Sequence, residues 1–460
     1  MFKRILVATR GEIAVRIIRA CREMGIESVV VYSTADEHSL AVQLATKAVC
    51  IGSARASDSY LNQQAIMTVA IKTQCEAIHP GYGFLSENDE FSDLCSENNI
   101  CFIGPSGDVI RKMGNKAMAR KLMLENNVPV VPGSDGVVEN VEQAKVVANK
   151  IGYPILIKAS AGGGGRGMRR ANDDTEIENA FSSAKAEAIA CFDNGDVYIE
   201  KLILNPRHIE IQILADKKGS VIHLGERNCS IQRKNQKMIE ESPAKGISEE
   251  LRNKMGNDAV NAAKAVNYLG AGTIEYVVSQ ENDYYFIEMN TRVQVEHPVS
   301  EMVSGVDIIR AQIQIAAGLA LEYKQDDIKL NGHAIECRIN AEDCNNNFCG
   351  VPGTTQFLHL PGGCGVRVDS CLYTGYELSP FYDSMVAKII VHAPTRLLAI
   401  KRMRRALEEM VIQGYPTNIE FLHVILHHTD FIKGNYNTGF IEKNMQELLE
   451  WCSVEGSKDE

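Results

Sequence analysis

Apolar positions in the first hundred residues fall into short runs separated by helical spacings. RILVAT (4–9) is one such run. IAVRIIRACREMG then places Ile13, Ile17, Ile18, Cys21 and Met24 on one helical face, and SVVVYS (28–33) is apolar again. This order predicts strand, turn, helix and strand, a βαβ unit. AIMTVAIKTQ as a helix, EAIHP (76–80) as a strand, a helix near 87–98 and ICFIGP (100–105) as a strand continue the rhythm. An N-terminal Rossmann-like parallel sheet over 1–105 follows.

Residues 106–130 read as a helical linker, and the prolines and glycines of NVPVVPGSDG mark a boundary. VEQAKVVANKIGYP is predicted as a helix closed by Gly152 and Pro154. Strand ILIKAS, a glycine run, strand GMRRA, helix TEIENAFSSAKAEAIA and strand DVYIEKLI come next. That makes 131–203 a small mobile α/β lid. Strands and helices alternate over 204–446, where TRLLAIKRMRRALEEMVI (395–412) is a helix with a basic outer face. Residues 447–460 are expected to form a tail, with SVEGSKDE disordered.

Three later segments alternate with a period of two, so residues two apart share a face. HIEIQIL puts His208, Glu210 and Gln212 together against three isoleucines. EMNTRVQVE aligns Glu288, Asn290, Arg292, Gln294 and Glu296, and AIECRINAE aligns Glu336, Arg338, Asn340 and Glu342. Each alone reads as a half-exposed strand. Together they set carboxylates and amides suited to Mg²⁺ beside arginines suited to planar oxyanions. Glu275, on a strand that turns back into YFIEMN, can neighbour Glu288 and complete a metal bridge.

Lys158 ends the strand before AGGGGRGM (161–168), which places a positive side chain beside backbone able to approach phosphate oxygens. No GK[ST] follows, so this is not a Walker loop; a plain flexible hairpin is the competing reading. The net charge of −11 supplies no general field for nucleic acid or an anionic membrane. An anionic ligand therefore requires a local basic cluster, which RNCSIQRKNQK offers in Arg227, Arg233, Lys234 and Lys237. The 13 cysteines include no CxxC pair, and no run of eighteen apolar residues occurs, which favours reduced thiols in the cytoplasm without signal peptide or membrane span.

Taken together, ATRGEIAVRIIRAC, IHPGYGFLSEN, MGNKAMAR, IKASAGGGGRGM, EKLILNPRHIEIQIL, ERNCSIQRKNQKMIEESPA, FIEMNTRVQVEHPVSEM and ECRINAED closely resemble the biotin carboxylases, over about residues 2–445. The resemblance implies an α/β (α+β) ATP-grasp fold: the parallel-sheet domain, the lid, and a large C-terminal mixed-sheet domain. It implies ATP contacts at Lys116, Lys158, Gly163, Gly164, Gly165, Met168, Glu200, Lys201, Ile203, His208, Gln232 and Asn235. Glu275 and Glu288, with Asn290, would hold Mg²⁺ or Mn²⁺. Lys237, Arg292, Gln294, Val295 and Glu296 would contact bicarbonate, and Tyr82, Gly83, Phe84 and Arg338 the biotin side.

In chemical terms, Glu296 is the expected base on bicarbonate, with Arg292 aligning the anion and Lys237 offsetting charge on the transferred phosphoryl group. Arg338 is expected to stabilise the enolate oxygen of biotin. No biotinylation signature occurs, so the implied partners are a separate biotin carboxyl carrier protein and a carboxyltransferase. The implied pathway is the first half-reaction of acetyl-CoA carboxylase in fatty acid synthesis, with pyruvate or other acyl-CoA carboxylases as the alternative. Arg19, Glu23 and Arg367 match a homodimer interface, although an i,i+4 ion pair explains the first two equally well. Asn235 and Cys364 depart from the family, which more often has His and an aromatic there. A non-biotin ATP-grasp ligase should lack HPGYGF and RVQVEHPV, a regulatory subunit gives no reason for Glu296, Arg338 and Lys237 together, and a nicotinamide enzyme should show GxGxxG.

Overall fold

A computed structural model describes residues 1–160 and 167–456, with side chains through Cys452. The N-terminal strands form a parallel sheet in the order Lys47–Gly52, Glu27–Ser33, Arg4–Val7, Ala77–His79, Cys101–Phe102. The first helix, Gly11–Glu23, turns Ile13, Ile17, Ile18 and Cys21 inward, as their spacing requires. The connection that follows consists of two helices, Gly107–Gly114 and Lys116–Glu125, the second capped by the side chain of Asn115.

The lid is a three-stranded antiparallel sheet of Met168–Ala171, Ile155–Ala159 and Val197–Lys201 under helices Val141–Ile151 and Ile177–Phe192. It has its own core, in which Ile155, Ile157, Ala184, Val197 and Ile199 are fully buried. The glycine run at 161–166, with Gly163, Gly164 and Gly165, lies outside the described residues.

The large unit is built on eight strands in the order Tyr284–Asn290, Gly270–Val278, Arg207–Ala215, Val221–Arg233, Gln236–Ser242, His333–Asn340, Met385–Ala393, Val366–Ser370. Every pair in this sheet is antiparallel. Ile209, Ile211 and Ile213 pack on the helix side against Ala259, Ala262 and Ala263 of helix Glu249–Ala265, which leaves His208, Glu210 and Gln212 on the opposite face.

Two expectations are corrected. The strand through Glu288 ends at Asn290, and the chain then bends through 291–295 to Glu296, which precedes helix His297–Ser304 with Pro298 in its first turn. Proline lacks the N–H a ladder needs and suits a helix start, so EMNTRVQVE cannot remain one strand. The basic segment 227–237 is mostly strand, and the helix near the end does not give way to a tail at 447: Phe440–Gly456 is continuous, with Leu448 and Cys452 buried. Residues 457–460 lie outside the described part. No disulfide is formed among the described residues, and no helix among them is long and apolar enough to cross a membrane.

One buried network ties the sheet to the C-terminal helices. Glu241 accepts from Nε2 of His333 at 2.8 Å, Nε of Arg396 at 2.6 Å and the hydroxyl of Tyr436. Burial alone would raise its pKa, but the hydrogen bonds and charges of His333 and Arg396 hold it down to about 2. A depressed acid stabilises the fold above its unfolded value and loses that contribution as pH falls through the folded one. Glu241 should therefore contribute about 3 kcal/mol at neutral pH, lost between about pH 4.5 and 2. Glu241→Gln should flatten the acid limb of a urea-unfolding series measured from pH 3 to 7. An unchanged limb would refute this role.

Candidate active site

The polar faces of the large sheet converge on Lys237. Its ammonium lies 2.6 Å from Glu210, 3.0 Å from Glu275 and 2.5 Å from Glu296, donating to all three. Burial opposes its charge, but these three carboxylates more than compensate and raise its pKa well above the ordinary lysine value. Glu296 is 2% exposed. Burial would protonate it, yet Lys237, Arg338 and Arg227 hold it as a carboxylate, well below the usual range. Despite the bend, Gln294 and Glu296 reach the same centre: the Gln294 amide donates to Glu275 at 2.9 Å, and Arg338 donates to the second Glu296 oxygen at 2.9 Å.

The predicted basic cluster disperses. Arg233 bonds to Asn347 and lies 4.2 Å from the Phe348 ring centre, and Lys234 sits at a hairpin tip. Arg227 is fully buried and donates to Glu210, Gln212 (2.7 Å), Ser300 (3.0 Å), Thr273 (3.0 Å) and Gln294 (2.9 Å). A guanidinium carries five N–H donors, so every one is used. It holds the track from behind rather than meeting a ligand. Only Lys237 of the four faces the centre.

Glu288 lies directly opposite Glu275 across a strand pair and meets Lys116 at 2.9 Å. Glu275 also accepts from Asn290 at 2.9 Å and stands 3.1 Å from Nε2 of His208. Glu210, outside the predicted metal set, comes close enough to His208 and Glu275 for one ion to reach all three. Its position on the His208 face was readable from the period-two pattern. Facing carboxylates on adjoining strands are the hard oxygen donors that Mg²⁺ takes, and their charge is here matched by Lys116 and Lys237. These residues fit such an ion.

On the lid side, Lys158 meets Glu200 at 2.5 Å, and Arg120 lies 3.8 Å from the other Glu200 oxygen. Met168 is the register partner of Lys158. The Lys201 ammonium is turned to the carbonyls of Gly152 and Tyr153, at 3.1 and 2.5 Å, so its backbone alone remains for a nucleotide. Ile203 is half-buried just beyond this strand, and Gln232 is buried opposite Lys237. Asn235 occupies the second position of a two-residue hairpin, with φ of 64° after 49° at Lys234. Asparagine tolerates that left-handed region, which gives the departure a backbone cause.

On the remaining side, Arg292 donates to Glu87 at 2.8 Å and to Asn290 at 3.0 Å, so the N-terminal unit holds this arginine. Tyr82 donates to Glu12, Gly83 is exposed, and Phe84 stacks on Tyr60 with ring centres 4.9 Å apart. Phe84 is thus an anchor of its loop. Arg338 also donates to Glu240 at 2.6 Å. Burial and the nearby Glu296 push Glu240 up to about 7 despite that arginine, and burial beside Glu240 raises Glu336 well above the carboxylate range. Neither Glu336 oxygen has a partner, so the protonated acid is the form compatible with this site.

A small sheet whose lysine and acid lie beside a large antiparallel sheet bearing paired carboxylates is the plan of ATP-dependent ligases. The family comparisons agree. Residues 1–110 match the biotin carboxylase N-terminal domain, 115–324 the ATP binding domain of the carbamoyl-phosphate synthase L chain, and 336–443 the biotin carboxylase C-terminal domain. Biotin carboxylase 1 of Bacillus subtilis is 55% identical over 443 residues, 96% of this chain and 98% of that one. A crystal structure of the Hydrogenobacter thermophilus 2-oxoglutarate carboxylase biotin carboxylase domain dimer, in complex with MgADP, ADP and bicarbonate, superposes with a TM-score of 0.93 at 49% identity, covering 97% of this chain and 99% of that one. The crystal structure of the biotin carboxylase subunit of pyruvate carboxylase superposes with a TM-score of 0.86 at 50% identity, again covering 97% of this chain and 99% of that one. The chain belongs to the biotin carboxylase family and is a ligase.

Proposed function

We propose that this chain uses ATP and bicarbonate to carboxylate biotin borne by a separate carrier protein. The observation that carries this reading is the convergence of Lys237, Glu296 and Arg338 within hydrogen-bonding distance in one buried centre. Glu296 is held ionised and ready to accept a proton. A base held so low is weak until Lys237 and Arg338 turn from it toward the incoming anion. Bicarbonate then gains Lys237 and Arg292 as cationic partners while Glu296 takes its proton; its oxygen attacks the γ-phosphate, ADP leaves, and the resulting carboxyphosphate breaks down to CO₂ and phosphate beside biotin. Mg²⁺ held by Glu275 and Glu288, with Asn290 beside them, would neutralise phosphate charge. Lys116 and Lys158 approach the nucleotide from the linker and lid, with Met168, Glu200, Ile203, His208 and Gln232 around it. Arg338 stabilises the biotin oxygen as its ureido nitrogen gives its proton to the released phosphate and attacks CO₂ to form carboxybiotin, with Tyr82, Gly83 and Phe84 forming the facing loop.

Arg338→Ala is the test of this arrangement: carboxylation of free biotin should fall about a hundredfold or more, with nucleotide binding retained. Near-normal biotin turnover would sink the assignment.

We place the chain with acetyl-CoA carboxylase in fatty acid synthesis, in the cytoplasm, as a homodimer working with a carrier and a carboxyltransferase. The similarity to a 2-oxoglutarate carboxylase domain and to part of a pyruvate carboxylase supports a second acceptor class. Purifying the native complex and identifying its carboxyltransferase decides between them. Arg19 and Glu23 are exposed and form no ion pair with each other, so the local explanation for them fails. Arg367 bonds to Glu301 and Asp369 at 2.7 Å each. Arg19→Glu should shift sedimentation toward monomer; an unchanged dimer would exclude this face.

A further inference from the structure

Lys388 is fully buried on strand Met385–Ala393, beside Arg338 in the register, and belongs to none of the roles above. Its ammonium donates to the Val295 carbonyl at 2.7 Å and meets Glu12 of the first helix at 2.9 Å. The same Glu12 oxygen accepts from the Tyr82 hydroxyl. Burial disfavours the Lys388 charge, but Glu12, in direct contact, and Asp369 oppose that effect and its pKa is raised. An ammonium kept charged in the core must be held by partners, and two of those partners lie at the two ends of the reaction centre.

The contact with Val295 has a geometric consequence. In a trans peptide the C=O and the following N–H point in opposite directions. Lys388 draws the Val295 carbonyl one way and so aims the Glu296 N–H the other. His297 does the same one residue earlier: its Nδ1 is 2.7 Å from the Gln294 carbonyl, which turns the Val295 N–H away. Burial, with Lys388, Arg367 and Arg16 nearby, keeps that imidazole neutral, so Nδ1 carries the proton. Among the described residues neither the Val295 nor the Glu296 N–H has an acceptor. Two successive N–H groups without acceptors are donors that an anion can use.

We propose that Lys388 is a positioning residue that orients the Val295–Glu296 peptide toward bicarbonate and, by sharing Glu12 with Tyr82, couples that peptide to the loop on the biotin side. The inference rests on the function proposed above. In it the ammonium is a strut with one end at each substrate. It touches neither bicarbonate nor biotin.

The test is steady-state kinetics of the full-length enzyme with free biotin, varying ATP and bicarbonate separately. An inactive parent enzyme would remove the proposed function itself. With an active parent, Lys388→Met should raise the KM for bicarbonate about tenfold and leave the KM for ATP within about twofold, because only the anion site loses its orientation. Lys388→Arg, which keeps charge and donors, should recover part of the loss. Should Lys388→Met fail to fold, Glu12→Gln and Tyr82→Phe, which remove little volume, carry the test. Glu12→Gln should raise the bicarbonate KM about threefold, and adding Tyr82→Phe to it should produce less than the product of the two single effects. Equal changes in both KM values would show a merely structural lysine, and an unchanged bicarbonate KM in Glu12→Gln would overturn the coupling.

Discussion

Glu296→Gln should lower kcat for biotin carboxylation about a thousandfold, the middle of the range for loss of a general base. Nucleotide affinity should stay within about twofold. Glutamine keeps the volume and can still accept from Lys237 or Arg338 through its oxygen, so packing around the buried position survives. It cannot take a proton from bicarbonate. The same exchange leaves Lys237 with two carboxylates in place of three, Glu210 and Glu275, which still hold its charge. The two parts of the outcome are read separately, by single-turnover carboxylation and by calorimetric titration with nucleotide. Retained turnover would move the base elsewhere, and loss of nucleotide binding would make the residue structural.

Arg227→Met should be the most damaging substitution for stability, costing about 3–5 kcal/mol by the usual figure for removing one partner of a buried ion pair. Globular proteins have only about 5–15 kcal/mol to lose, so much of the variant should be insoluble at 37 °C. Five acceptors on four segments, Glu210, Gln212, Thr273, Gln294 and Ser300, lose their common donor at once. Glu210 would keep Lys237, but the others have no route to water at near-zero exposure. Urea unfolding measures the loss, and a change below about 1 kcal/mol would mean that the network re-forms around methionine.

Much of this architecture can be read from residue patterns. The first helix, the lid elements and the strands bearing His208 and Arg338 announce themselves because one face is packed and the other is not. The same rule misleads after Asn290. Arg292, Gln294 and Glu296 keep the alternation of a strand, but Pro298 starts a helix just beyond them, and chain direction there is set by helix geometry. Arg227 looks like a surface base because its acceptors come from four other segments, a convergence that only folding creates. Glu12 and Lys388 are silent for the same reason: each is an ordinary charged residue until the first helix is laid against a strand near the other end of the chain. The helix beyond 447 escapes the pattern because charged residues at the chain end suggest a solvated tail, whereas Leu448 and Cys452, one turn apart, are buried.

The bond from Glu87 to Arg292 reaches further than its geometry. Glu87 lies in the N-terminal unit and also accepts from the Thr291 N–H at 3.2 Å, so one side chain fixes both the arginine and the backbone where the long strand ends. The N-terminal sheet is therefore no interchangeable module. Grafting a related N-terminal unit onto this catalytic half would preserve activity only if it delivered a carboxylate to that same point. Recombination within such a chain is thus constrained by side-chain contacts between the two units, Glu87–Arg292 and Glu12–Lys388 among them, more than by any domain border.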